Sequence, residues 1–157
     1  MNLHAPHTRA AFRRIAPAAM LIFASTQLFA QQPLSLTLSG NAEVPPVTTS
    51  ARGVGQITVL ADHTVTGTIR TEGLEPTKAH IHDGAINENG PAIVTLEKIT
   101  TSSFTVPPNT KLTDAQYSRY VAGNLYVNVH SAKYPDGEIR AQLLRAETAS
   151  TPMRPAY

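Results

Sequence analysis

LYVNVH, at residues 125–130, is the stretch of sequence that decides the fold. Its two valines fall on one side of an extended chain, while Tyr126, Asn128 and His130 fall on the other. One side is apolar and the other polar, which is typical of a β-strand with one face against a hydrophobic core. The stretch therefore predicts a sheet whose second face carries polar side chains, a histidine among them.

The chain on either side of this stretch repeats the pattern of short strands separated by turns. It is rich in Thr, Val and Ile, and turn-forming residues recur about every ten residues, as in antiparallel sandwiches and barrels. Thr113 and Gln116 fit a capping box, which predicts one short helix ending near Gly123. We therefore expect an all-β fold, an antiparallel Greek-key β-sandwich or barrel with one short helix. The predicted strands are 34–38, 53–60, 64–71, 78–82, 92–96, 103–106, 125–130 and 137–144.

The two ends of the chain differ from this β-rich part. The first thirty residues contain three arginines, then an apolar stretch, then the small residue Ala30, which is the order of a secretory signal peptide. The apolar stretch is short and interrupted for a membrane span. We expect an exported protein, periplasmic or extracellular, that has no membrane attachment once the signal is removed. The expected segments are a signal peptide at 1–30, a β domain at 31–145 and a disordered tail at 146–157.

Charge and cysteine content exclude two classes of function. The chain has 13 Lys and Arg against 11 Asp and Glu, and the predicted signal peptide holds three of the basic residues and none of the acidic ones. The remainder therefore has a net charge of −1 and no run of basic residues, so we expect no nucleic-acid partner. The chain has no cysteine, which excludes thiolate catalysis and thiolate metal sites.

Three histidines are the candidate metal ligands. His80 and His82 are two residues apart on a predicted strand, so both imidazoles project from one face. His130 ends another predicted strand, and the three rings converge if the two strands meet. Imidazole binds copper and zinc alike, and we favour copper over zinc. Spacing alone leaves open the alternative that these histidines only form a polar outer face.

Four charged residues are candidates for supporting such a site from behind the ligands. Asp83 follows His82 directly and is placed to orient an imidazole. Glu43 precedes two prolines, and Glu138 and Arg140 lie two apart on the last strand, where an ion pair with each other or with a neighbour is the structural alternative. The sequence shows no Ser-His-Asp order, no Gly-rich phosphate loop and no carboxylate pair, so we assign no catalytic residue and disfavour an enzyme.

Three ordered motifs resemble the CHRD domain, a module named for chordin. They are LSGNAEVPPV at 38–47, AHIH at 79–82 with NGP at 89–91, and GNLYVNVH at 123–130 with YPDGEIRAQL at 134–143. Many members have Gly-Pro after the His-x-His, where this chain has Asp83-Gly84. The resemblance implies a β-sandwich or Greek-key barrel, found in animal extracellular antagonists and as a lone domain in exported bacterial proteins. It implies no settled activity, but all three candidate ligands lie within its motifs.

A more distant likeness is to the copper–zinc superoxide dismutase fold, through the His-x-His strand and the later strand ending in histidine. This chain lacks that pattern's disulfide cysteines and fourth copper histidine, so the likeness is one of fold. Three hypotheses result, in decreasing order of preference. The first is exported, non-catalytic capture or transfer of copper. The second is a metal-independent interaction or adhesion module with an unknown protein partner, and the third is a dismutase-like redox enzyme.

Overall fold

The computed structural model describes Met1 and residues 32–145. The predicted signal peptide, apart from Met1, and the predicted tail lie outside the described residues. The strands are β1 (Leu34–Ser39), β2 (Arg52–Val59), β3 (Val65–Glu72), β4 (Pro76–Asp83), β5 (Ala92–Thr95), β6 (Glu97–Thr100), β7 (Ser103–Thr105), β8 (Leu125–Ser131) and β9 (Ile139–Gln142). The helix α1 (Asp114–Val121) lies between β7 and β8.

The nine strands form one antiparallel sheet that curls into a nearly closed barrel. Their order is β5-β4-β8-β9-β1-β2-β3-β7-β6. The two ends of the sheet approach each other where the Leu96 amide, between β5 and β6, donates to the Ala79 carbonyl of β4 at 2.9 Å. Alternate side chains of the central strands fill the interior, and Leu38, Ile57 and Val127 are fully buried there. The predicted all-β barrel with one short helix is confirmed.

Most predicted elements are present with small changes at their ends. The Thr113 hydroxyl accepts from the Gln116 amide at 3.2 Å, and the Gln116 side chain accepts from the Thr113 amide at 2.9 Å, so the capping box is confirmed. Strand β6 was not predicted. All four of its side chains are exposed, so it lacks the alternation of apolar and polar residues that marks a half-buried strand.

Strands β4, β8 and β9 lie side by side and define a polar face on the outside of the barrel. In their register His80 is opposite Asn128, which is opposite Arg140. These side chains point away from the core because their strand neighbours, such as Val127, point into it. The polar face is itself covered, since Asn128 is 2 % exposed and Arg140 is 1 % exposed.

Three irregular segments lie over this polar face: residues 40–51, 83–91 and 131–138. Side-chain hydrogen bonds connect them to one another. The Asn89 side chain donates to the Val44 carbonyl at 2.6 Å, and the Tyr134 hydroxyl donates to the Thr48 carbonyl at 3.3 Å. The molecule therefore has a second buried layer, polar in composition, outside its apolar core.

Candidate metal centre

The three predicted histidines converge on the polar face. His80 and His82 come from β4 and His130 comes from β8, and one ring nitrogen of each lies within 4.8 Å of the other two. His130 is opposite Lys78 in the register, which places it diagonally beside His80. The tightest approach is 2.9 Å, between His80 Nδ1 and His130 Nε2.

Main-chain carbonyls orient two of the rings. His82 Nδ1 lies 2.8 Å from the Gly90 carbonyl oxygen, and His130 Nδ1 lies 2.9 Å from that of Pro135. A carbonyl only accepts hydrogen bonds, so Nδ1 carries the hydrogen in both rings and Nε2 keeps its lone pair. This is the arrangement by which ligating histidines are usually fixed from behind. Nε2 of His82 is buried and makes no hydrogen bond of ordinary geometry with a described residue, although the Asn128 side chain lies near enough to raise the pKa of the ring.

The hydrogen between His80 and His130 belongs to His80. His130 Nε2 offers only a lone pair, so His80 Nδ1 is the donor in their contact. A metal ion at His130 Nε2 would take the place of this hydrogen, and His80 would then carry its hydrogen on Nε2. His80 is only half-buried, so that nitrogen can exchange its proton with solvent.

All three histidines are held neutral by burial. The pKa of His80 is lowered to about 4, chiefly by loss of solvation and in smaller part by the neighbouring rings of His130 and His82 and the Lys78 ammonium. Loss of solvation also lowers the pKa of His82 and of His130, against the opposing effect of their carbonyl hydrogen bonds. Neutral imidazole is the form that binds metal, so near pH 7 the three rings need no deprotonation to serve as ligands, only the change of tautomer at His80.

Behind His82 lies a stack of side chains that ends in a buried charge. The Tyr126 ring is parallel to the His82 ring within 11°, with 4.8 Å between ring centroids. On the ring of Tyr126, the Arg140 guanidinium carbon lies 3.4 Å from the centroid. The Tyr126 hydroxyl accepts from the Gly90 amide at 3.3 Å, so this tyrosine also holds the segment whose carbonyl orients His82.

Glu43 lies in the segment that covers the polar face. It is 5 % exposed, and loss of solvation raises its pKa to about 7 although the Arg140 charge opposes the shift. A Cβ on Gly137 would stand 2.7 Å from both Glu43 Oε1 and Asn128 Nδ2, so these two groups are neighbours. Glu43 Oε1 and Asn128 Oδ1 are buried acceptors with no partner among the described residues.

The other charged candidates have partners outside the cluster. The Asp83 carboxylate accepts from Arg119 Nε at 2.7 Å, and no hydrogen bond joins it to a histidine in the described part of the chain. Glu138 Oε1 accepts from the Thr49 hydroxyl at 2.7 Å, so its partner is a neighbouring segment and not Arg140.

Sequence reasoning missed the groups that orient the histidines. The carbonyls of Gly90 and Pro135 carry no side-chain signature, although both belong to turn-rich loops that were visible in the sequence. Tyr126 and Asn128 were placed on the same strand face as His130, and that shared face was the available signal for their part in the site.

The fold and the cluster together define a class of protein: a β-barrel with one covered polar face that carries three convergent histidines. The model of the CHRD domain family matches residues 34–143 of the chain, and the chain belongs to this family. No curated protein and no solved structure matches it. Among the described residues, no helix is both long enough and apolar enough to cross a membrane.

Proposed function

We propose that this is an exported CHRD-domain protein that binds one copper ion through His80, His82 and His130 and serves in copper capture or transfer without catalysis. The observation that carries the proposal is the convergence of one ring nitrogen from each of three histidines within 4.8 Å, while the buried Nε2 of His82 makes no hydrogen bond of ordinary geometry among the described residues. Leaving a buried acceptor unpaired costs about 1–3 kcal/mol, and a bound metal ion would remove that cost.

The three nitrogen donors also favour a transition-metal ion such as copper or zinc. Three neutral nitrogens suit copper or zinc, whereas magnesium and calcium need carboxylate, carbonyl and water oxygens. Among the described residues, the hydrogen bonds of the three rings go to one another and to main-chain carbonyls, and none goes to a hydroxyl or carboxylate that could act as a nucleophile or acid beside them, which supports binding over catalysis. We favour copper over zinc because, among divalent ions, copper binds a given nitrogen site more tightly than zinc does.

Metal titration of the purified mature chain tests the proposal. We expect about one copper ion per chain by elemental analysis and calorimetry, with zinc bound more weakly. His82→Ala should lose the ion, because one of three ligands is gone and Gly90 no longer orients a ring. His63→Ala is the matched control, since His63 stacks on Tyr117 away from the cluster. Absence of bound copper in the folded wild-type protein would reject the proposal.

The export part of the proposal rests on residues 1–30 and has its own test. Expression of the full chain should deliver a protein outside the cytoplasm, and its mass should correspond to a start close to Gln31. Full-length protein retained in the cytoplasm would contradict export while leaving the metal proposal standing.

A further inference from the structure

Arg140 is a buried cation that makes no direct ion pair among the described residues, and Glu43, which is not hydrogen-bonded to it, is the acidic group whose charge acts on it. Its side chain is 1 % exposed, and its guanidinium donates only to neutral oxygens: Asn89 Oδ1 at 3.3 Å, the Ala85 carbonyl at 3.0 Å and Gln142 Oε1 at 3.2 Å. None of the ion pairs among the described residues includes it. A guanidinium stays protonated near neutral pH even when it is buried, so a positive charge persists in this layer of the molecule.

The stack of Arg140, Tyr126 and His82 places this positive charge close to the histidine cluster. One aromatic ring, that of Tyr126, separates the guanidinium from His82, through contacts of 3.4 Å and 4.8 Å. The layer is covered, so water screens the interaction poorly. After burial, the dominant cause, the Arg140 charge is one of the effects that disfavour a positive charge on the His82 ring. A metal ion on His82 would lie in the same field.

We propose that Arg140 is a specificity-determining residue that shifts the affinity of the tri-histidine site toward monovalent copper and away from divalent metal ions. The inference rests on the proposed function, since it concerns the charge of the ion held there. The three ligands are neutral and bring no negative charge of their own. The repulsion from Arg140 is therefore proportional to the charge of the ion, and it penalises Cu(II) and Zn(II) twice as much as Cu(I).

The size of the effect follows from Coulomb's law. The contacts through Tyr126 place the guanidinium carbon within about 8 Å of the His82 ring centre, and an ion bound to that ring lies on the order of 10 Å from the charge. A unit charge at that distance, at an effective dielectric constant of about 20, changes a binding constant by roughly tenfold for each unit of charge on the ion. Arg140 should thus shift the ratio of Cu(I) to Cu(II) affinity by about one order of magnitude. This ratio also sets the reduction potential of bound copper, which a net positive surrounding raises.

The experiment compares affinities for the two oxidation states in matched variants. Dissociation constants for Cu(I) and for Cu(II) are measured by competition with chromophoric chelators, anaerobically with ascorbate for Cu(I). Arg140→Gln removes the charge and should lower the affinity ratio about tenfold. Arg140→Lys keeps the charge, and Arg70→Gln removes an exposed arginine on β3; both should leave the ratio within about twofold. A folded Arg140→Gln protein with the wild-type ratio would overturn the inference.

A second variant tests the same field without touching the buried arginine. Glu43→Gln at pH 8 removes a negative charge that offsets Arg140. The affinity ratio should then rise, opposite to the effect of Arg140→Gln, and an unchanged or lowered ratio would count against the inference. Failure of the wild-type protein to bind copper in either state rejects the proposed function itself. If the protein binds both Cu(I) and Cu(II), but the ratio of the two affinities does not change in the Arg140 and Glu43 variants, only this inference is rejected.

Discussion

His80 and Glu43 belong to the same covered layer, and burial moves their pKa values in opposite directions. The pKa of His80 falls from 6.5 to about 4, so between these values the unfolded chain binds more protons and stability rises with pH. The pKa of Glu43 rises from 4.5 to about 7, so the folded chain holds the extra proton there and stability falls as pH rises. The two effects partly cancel in the wild-type protein.

Single substitutions should separate the contributions of His80 and Glu43 to the pH dependence of stability. Glu43→Gln should make the free energy of unfolding of the metal-free protein rise more steeply between about pH 4.5 and pH 6.5. It should also stabilise the protein at pH 8, by about 1–2 kcal/mol after solvent screening, because no buried carboxylate need then ionise. His80→Gln should flatten the rise instead. Urea denaturation with a chelator present, from about pH 4 to pH 8, measures both, and parallel curves for wild type and Glu43→Gln would contradict the assignment.

The sequence was sufficient to place each histidine on a strand face, because alternation along an extended chain is a local property. It was not sufficient to bring His80 and His130 together. That approach depends on the pairing of β4 with β8, and no local signal specifies which distant strands pair. The ring nitrogens that remain available depend in turn on the carbonyls of Gly90 and Pro135, whose positions are set by loop geometry.

At the scale of elements, the main chain of the segment 83–91 contacts side chains of the histidine cluster and its neighbour Tyr126. Gly90 donates its amide to the Tyr126 hydroxyl and accepts at its carbonyl from His82 Nδ1. A Cβ on Gly90 would collide with the Asp83 carbonyl, so no larger residue fits without a shift of this segment. A glycine is needed at position 90 because its main chain passes close to that of Asp83, and not only because the segment turns there.

Gly90→Ala should therefore weaken metal binding while the barrel stays folded. The collision displaces the carbonyl that fixes His82, and loss of such an orienting group costs about 10–100-fold in metal affinity. Ile86→Ala, at a side chain 57 % exposed in the same segment, is the matched control and should bind copper as the wild type does. Copper titration measures both variants. Unchanged affinity in a folded Gly90→Ala protein would show that the carbonyl does not orient the ligand.

Strands that alternate buried and exposed side chains were predicted well from the sequence. Segments that lack this alternation were not. Strands β2 and β3 pair over their whole length as the predicted hairpin, because their alternation and the turn between them are local. Strand β6 has no buried side chain, and its pairing with β7 follows from the position of the neighbouring chain. The covering segment at residues 40–51 has no regular pattern beyond a short 3-10 turn at Gly40–Ala42, and its role depends on what lies beneath it.

At the scale of the whole molecule, the three family motifs meet at the polar face. The first supplies the covering segment with Glu43, the second supplies β4 and the segment that orients His82, and the third supplies β8, the 131–138 segment and β9 with Arg140. Motifs far apart in sequence thus form one polar layer, whereas the apolar interior draws on every strand of the described residues except β6. Functional residues often lie on loops that a rigid scaffold positions, and the loops of all three motifs lie on this face, which favours a common function for it.

The cluster joins β4 to β8, two neighbouring strands of the sheet, so an ion bound there should stabilise the folded barrel against unfolding. A ligand that binds only the folded state, at a free concentration of about 100 times its dissociation constant, adds about 2.7 kcal/mol, or roughly 10 °C in melting temperature for a domain of this size. Copper should raise the melting temperature of the wild type and of His63→Ala by this amount, and magnesium should not. His82→Ala should melt at the same temperature with and without copper. A metal-independent interaction module would show no copper effect in any of these proteins, so differential scanning calorimetry of the set decides between the two hypotheses.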